Sequence, residues 1–179
     1  MNISYFQRLI EVCDQHSVKP TDHALYVSIC EQKLFHYRSG ELQKTYTVST
    51  SRRPPSCVEN SLGTPTGLHF IDEKIGDTLP AGTILKGRVP TGENCYELSI
   101  ERNAENLITT RILWLRGLET GHNAGPGIDT HDRYVYLHGT NQEDRLGTPN
   151  SHGCVLLSNA DVTELFDVIP GGTLVLIER

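Results

Sequence analysis

Cys154 stands in the stretch Asn150-Ser151-His152-Gly153-Cys154-Val155-Leu156-Leu157, a thiol set between a glycine and an apolar, strand-like run. A cysteine attacks as its thiolate, and a neighbouring imidazole is the commonest device for taking its proton and later returning one to a leaving group. Two imidazoles qualify. His152 precedes the thiol by two positions, so an extended backbone points both side chains to one face. His138 ends the run Tyr134-Val135-Tyr136-Leu137, sixteen residues before the thiol, and the stretch between carries Gly139, Asn141, Gly147, Pro149 and Asn150, the residues that turns need. A strand ending at His138, a loop folding back and a second strand starting at Cys154 would bring the groups within hydrogen-bond reach. The chemistry is then acyl transfer, with the N–H of Cys154, joined by that of Gly153, holding the oxyanion.

Two other readings compete. His138, His152 and Cys154 are three plausible zinc ligands, and with a water in the fourth position they would make a hydrolytic site, although their spacing matches no zinc pattern. Alternatively Cys154 is a buried structural thiol, as many cysteines are. The polar run from Thr148 to Gly153 is, however, a poor core segment.

His138-Gly139-Thr140, the thirteen-residue step from His138 to Ser151, and Ser151-His152-Gly153-Cys154 followed by apolar Val155 together resemble the signature of the L,D-transpeptidase (YkuD-type) catalytic domain family. Upstream, Gly63-Thr64-Pro65-Thr66-Gly67 resembles that family's substrate-side turn and Val48-Ser49-Thr50 the end of its early hairpin, so the resemblance spans about residues 24 to 179. It implies a mainly β fold, a YkuD-like β-sandwich or barrel, with no metal and no other cofactor. It also implies that Cys154 is the nucleophile and His138 the base, oriented by the carbonyl of Gly139 in place of an acidic third member. His152 is left a supporting hydrogen bond, and Ser151 the substrate-side turn. The substrate would be a murein tetrapeptide or muropeptide, cut at an L,D-peptide bond. Water resolving the thioester makes an L,D-carboxypeptidase, the expected activity, and an amine makes an L,D-transpeptidase; a murein-peptide binding module with disabled chemistry is the other class. One position departs. The family usually carries arginine two residues after the cysteine, where this chain has Leu156, and leucine cannot pair with a carboxylate. The substrate's charge then falls to Arg111, Arg116, Arg133 or Arg145.

The elements that must position these groups follow from periodicity and breakers. Ile3, Phe6, Ile10 and Cys13 recur at helical spacing, giving an N-terminal helical appendage over residues 1–20 ahead of a catalytic domain over 21–179. Its apolar face reads as packing on the domain or as a dimer contact. Ala24–Cys30, Leu34–Arg38 and Leu42–Thr50 read as a three-strand meander, Leu68–Ile71 as a short strand and Thr109–Leu115 as a buried one. Prolines and glycines make Ser51–Thr66 a surface loop near the site, in which Arg52-Arg53 is either a carboxylate contact or a solvated pair. His69 reads as a satisfied structural histidine. Gly76 to Gly92 is too broken for a helix, and Gly117–Thr130 is a mobile lid or an inert connection. Ser158 caps a short helix after the catalytic strand, Pro170-Gly171-Gly172 ends it, and Thr173–Ile177 closes the sheet.

Composition sets the outer bounds. The 179 residues, 37% hydrophobic and 21% charged, describe an ordinary globular domain, and a net charge of −6 argues against nucleic acid or an anionic membrane as partner. Five irregularly spaced cysteines, an odd number without a C-x-x-C pair, read as reduced thiols. Gln7, Arg8, Glu11 and Asp14 interrupt the N-terminal apolar residues and leave no signal-peptide core. The expected location is the cytoplasm.

Overall fold

The structure, a computed structural model, describes residues 4–179; Ile3, the first apolar position of the expected N-terminal helix, lies outside the described residues. That helix, α1 (Tyr5–Gln15), starts at Ser4, whose hydroxyl accepts the Gln7 N–H. Its apolar face, Leu9, Val12 and Cys13, is spent on the domain's own sheet against Ala24, Tyr26, Leu68 and Leu176, and Arg8 pairs with Glu178 at 2.8 Å. Core packing is therefore what its periodicity reflects.

The strands are β1 (His23–Ser28), β2 (Lys33–Arg38), β3 (Glu41–Thr47), β4 (Gly67–Ile75), β5 (Thr83–Lys86), β6 (Val89–Asn94), β7 (Ile108–Gly117), β8 (Tyr136–Gly139), β9 (Val155–Leu157) and β10 (Leu174–Glu178). They form one sheet in the order β3-β2-β1-β10-β4-β7-β5-β6, with β8 on β7 and β9 on β8; only β1–β10 and β8–β9 are parallel. Two helices join α1: α2 (Ile100–Asn103) and α3 (Asn159–Val168), the latter capped by Ser158, which accepts the Asp161 N–H. Along β1 the alternation is strict. Leu25 and Val27 enter the main core with Leu113, Leu137, Val155 and the α3 residues Val162, Leu165 and Phe166, whereas Ala24 and Tyr26 face α1. Strands covered on both faces explain the near-continuous apolar runs of the sequence.

Three readings are extended or decided. β4 runs on to Ile75 because β10 and β7 flank it, and this tertiary pairing carries the polar Asp72-Glu73-Lys74 into the strand. The broken stretch after Gly76 holds the β5–β6 hairpin, turning at Gly87 and Arg88 with φ of 55° and 70°. The 117–130 segment is not built as a lid. Asn123, fully buried, donates to the carbonyls of Thr66 and Leu68, and Asp129 receives the N–H groups of Gly125, His131 and Asp132. His69 is indeed a structural histidine, held between Gly67 O and Thr130 Oγ1.

Candidate active site

In the parallel pair β8–β9, Leu137 lies beside Val155 and His138 beside Leu156. Leu137, Val155 and Leu157 enter the main core, so Tyr136, His138, Cys154 and Leu156 share the opposite face. Residues sixteen apart in the chain thus come together on one surface.

His138 is 3% exposed, and its Nδ1 lies 2.8 Å from the carbonyl of Gly139. A carbonyl only accepts, so Nδ1 carries the proton and Nε2 presents the lone pair a base needs. Burial pushes this imidazole down to about 4, which keeps it neutral and able to accept. Gly139 has no room for a side chain: a Cβ there would meet Asn159 Oδ1 and Thr109 O at 2.7 Å. Asn159, buried in the first turn of α3, donates to Thr140 O at 3.1 Å and receives the hydroxyls of Thr109 and Thr110. It thereby anchors the end of β8 that carries His138. Sequence reasoning missed it, since an asparagine just inside a capped helix looks like ordinary helix-start chemistry.

The turn before Cys154 is set by Gly153 at φ 128° and by Ser151. Ser151 Oγ donates to Cys154 O at 2.5 Å and accepts the Gly153 N–H at 3.2 Å. Two assignments are corrected by this. The Gly153 N–H is already engaged by Ser151 Oγ and is not free to join that of Cys154 at an oxyanion; and Ser151, 2% exposed, staples the turn instead of facing the cavity. The bend also breaks the extended backbone that would align His152 with Cys154. The His152 ring is exposed at the cavity rim and, among the described residues, makes no hydrogen bond, so its expected supporting bond is not present.

Cys154 Sγ accepts the Tyr136 N–H at 3.4 Å and donates to Tyr134 O at 3.7 Å, with no hydrogen bond to His138. Burial pushes the thiol up to about 11, opposed by the Tyr136 N–H and the Arg133 charge. The resting pair is therefore a neutral thiol and a neutral imidazole. Tyr134, whose carbonyl faces the sulfur, holds a left-handed φ of 56°, a strained backbone of the kind that collects at functional sites.

A cavity of about 260 Å³ opens at the thiol, walled by Asn60 and Leu62 of the 51–66 loop, by Asp132, Arg133 and Tyr134, and by His152. Glu59 also faces it. Arg133 is the one expected carboxylate-binding arginine that reaches this cavity, yet its fork is already engaged with Ser56 O at 3.0 Å and Gly63 O at 2.8 Å. It clamps the loop to the site. The other three lie elsewhere. Arg111 is 7% exposed and donates to Leu79 O and Thr110 O; Arg116 is paired with Asp72 at 2.7 Å; Arg145 reaches only toward Gln142. Arg52 braces the turn through Asn150 Oδ1. Nor do the three residues of the competing zinc reading, His138, His152 and Cys154, form a ligand group among the described residues. Among the described residues the set of ligand atoms lying within 4.8 Å of one another belongs to Asp72, Glu73 and His131, where Arg116 already holds Asp72.

Leu156 is 1% exposed, locked beneath Ser49 by backbone bonds of 2.8 and 3.0 Å, and so cannot shape the acceptor side directly. Leu156→Arg is expected to lower stability by about 3–5 kcal/mol, as an unpaired buried charge does, and denaturant unfolding checks this.

The L,D-transpeptidase catalytic domain model, YkuD, matches residues 22–177. YkuD of Bacillus subtilis (strain 168) is 31% identical over 127 residues, 70% of this chain and 67% of its own length. YqjB of the same organism is 46% identical over 48 residues, 27% of each chain. An L,D-transpeptidase from Mycobacterium smegmatis superposes with a TM-score of 0.55 at 14% identity, over 88% of this chain and 59% of that one. L,D-transpeptidase 3 from Mycobacterium tuberculosis superposes with a TM-score of 0.57 at 14% identity, over 88% and 60%. This chain thus spans about a quarter of YqjB's length and about three-fifths of the mycobacterial chains, whose likeness shows the shared fold. The family match begins just ahead of the first strand and ends within the last, taking in both His138 and Cys154, and on that ground the chain belongs to the L,D-transpeptidase (YkuD) catalytic domain family.

Proposed function

We propose that the protein hydrolyses the L,D-peptide bond of a murein tetrapeptide, releasing terminal D-alanine through a Cys154 thioester. The observation that carries this is the placement of Cys154 and His138 on one face of β8–β9, with Gly139 O fixing the tautomer that leaves Nε2 free. Cys154 attacks the carbonyl of the diamino acid, and His138 takes the thiol proton and passes it to the departing amine of D-alanine. The Cys154 N–H stabilises the oxyanion in both halves of the reaction. Water, deprotonated by the same imidazole, then releases the tripeptide.

Hydrolysis is favoured over transfer by the size of the cavity at the thiol. About 260 Å³ lies below the range typical of drug-sized ligands, which suits one amino-acid end and a water better than a second stem peptide. Trimming of recycled peptide in the cytoplasm is the setting this reading calls for. The test is mass spectrometry of tetrapeptide digests with and without a high concentration of an acceptor amine. Tripeptide and free D-alanine are the expected products in both; crosslinked dimer as the main product would establish transpeptidation instead.

A further inference from the structure

With Leu156 buried and Arg111, Arg116, Arg133 and Arg145 each turned to other groups, none of the four arginines expected to meet the substrate's carboxylate presents an open guanidinium at the thiol. The β5–β6 hairpin supplies one. We propose that Arg88, at the tip of that hairpin, receives a free carboxylate of the peptide substrate beside Cys154; this rests on the acyl-transfer reading above.

Arg88 is carried by the same residues that touch the sulfur. Its guanidinium lies 4.6 Å over the Trp114 ring and 5.0 Å over that of Tyr134, and its Nη1 donates to the Tyr136 hydroxyl at 3.2 Å. The backbone N–H of Tyr136 donates to Cys154 Sγ, and the carbonyl of Tyr134 faces that sulfur. Trp114 and Tyr136 also belong to the apolar cluster against which Cys154 packs. A guanidinium stacked on rings keeps its in-plane N–H groups turned outward, the geometry a carboxylate meets with two parallel bonds.

Two further observations single this arginine out. First, no carboxylate holds it among the described residues: Arg8, Arg102 and Arg116 are each paired with an acid and Arg111 and Arg133 are consumed by carbonyls, and of the arginines without an ion pair Arg88 is the one stacked on the rings around Tyr136. Glu73 exerts its field on Arg88 without hydrogen bonding to it. Second, Arg88 sits at φ 70° next to Gly87 at φ 55°. Such hairpin positions favour glycine or asparagine, so an arginine there is held at a conformational cost that aims it inward over Trp114.

The experiment measures peptide binding to Cys154→Ala and to Cys154→Ala/Arg88→Gln by titration calorimetry. The ligands are the tetrapeptide with free carboxylates and versions in which each carboxylate in turn is a carboxamide. Arg88→Gln is expected to weaken the free acid by about 10- to 100-fold, the loss of a charged hydrogen-bonded pair. It should leave unchanged the binding of the one peptide whose matching carboxylate is amidated, and Arg88→Lys should recover part of the affinity. In the active enzyme the same loss should appear in KM more than in kcat. An equal loss on every peptide, no loss on any, or no binding to Cys154→Ala at all would overturn the assignment. Turnover by the wild-type protein is read separately: a peptide bound through Arg88 but never cleaved removes the acyl-transfer reading alone, and cleavage indifferent to Arg88 removes only this one.

Discussion

In Cys154→Ala, release of D-alanine from tetrapeptide is expected to fall by at least about 10⁴-fold, the loss seen when a catalytic unit is deprived of its nucleophile. The thermal midpoint should stay within a few degrees, because the sulfur's own bonds, at 3.4 and 3.7 Å, are weak and the side chain is only partly buried. No second cysteine can substitute. Cys13 is buried on the inner face of α1 and pushed up to about 11, and Cys30, Cys57 and Cys95 lie outside the cavity lining. Product analysis beside a melting curve checks both halves, and a variant that still turns over, or that unfolds, would remove Cys154 from its role.

His138→Ala should cost about 10²- to 10⁴-fold, the range for a lost general base. Its signature lies in the pH profile. The buried imidazole titrates near 4 instead of 6.5, so wild-type kcat/KM should hold level across neutral pH and fall only as pH drops through about 4. Without His138 the thiolate has to come from solvent, and with the thiol pushed up to about 11 the residual rate should climb steadily with pH. A wild-type acid limb lying well above 4 would remove His138 from the role of base. Stability carries the same sign. His138 and His69 both titrate near 4 when folded and near 6.5 when unfolded, so between those values the unfolded chain binds more protons. Stability is then present above about 6.5 and is lost as pH falls toward 4, and His138→Ala should blunt that loss.

Much of the scaffold was legible because its signals are local. The apolar run of β1, the capping serine at 158, and the proline-glycine break after α3 each act within a few residues of where they stand. Legibility ended where partners are distant in the chain. Asp72-Glu73-Lys74 joins β4 only because β7 lies alongside, and the 117–130 segment is fastened by an asparagine whose acceptors lie more than fifty residues earlier. Thr110, a β-branched residue at φ 67°, turns a bulge in β7 toward Asn159, and nothing in its neighbours announces it.

By itself the sequence carried the candidate thiol, the candidate imidazole and the glycines between them, since these are identities and spacings. It also determined which family such a spacing resembles. Tertiary structure alone decided the state of those groups and their company. Burial, which depends on every element packed around β8 and β9, pushes the Cys154 thiol up and the His138 imidazole down, each further toward its neutral form. Side-chain partnership, which long-range packing distributes, commits Arg111, Arg116 and Arg133 elsewhere and leaves Arg88 over the aromatic rings beside the sulfur. Composition counts the arginines; only the fold determines which of them still has a hand free.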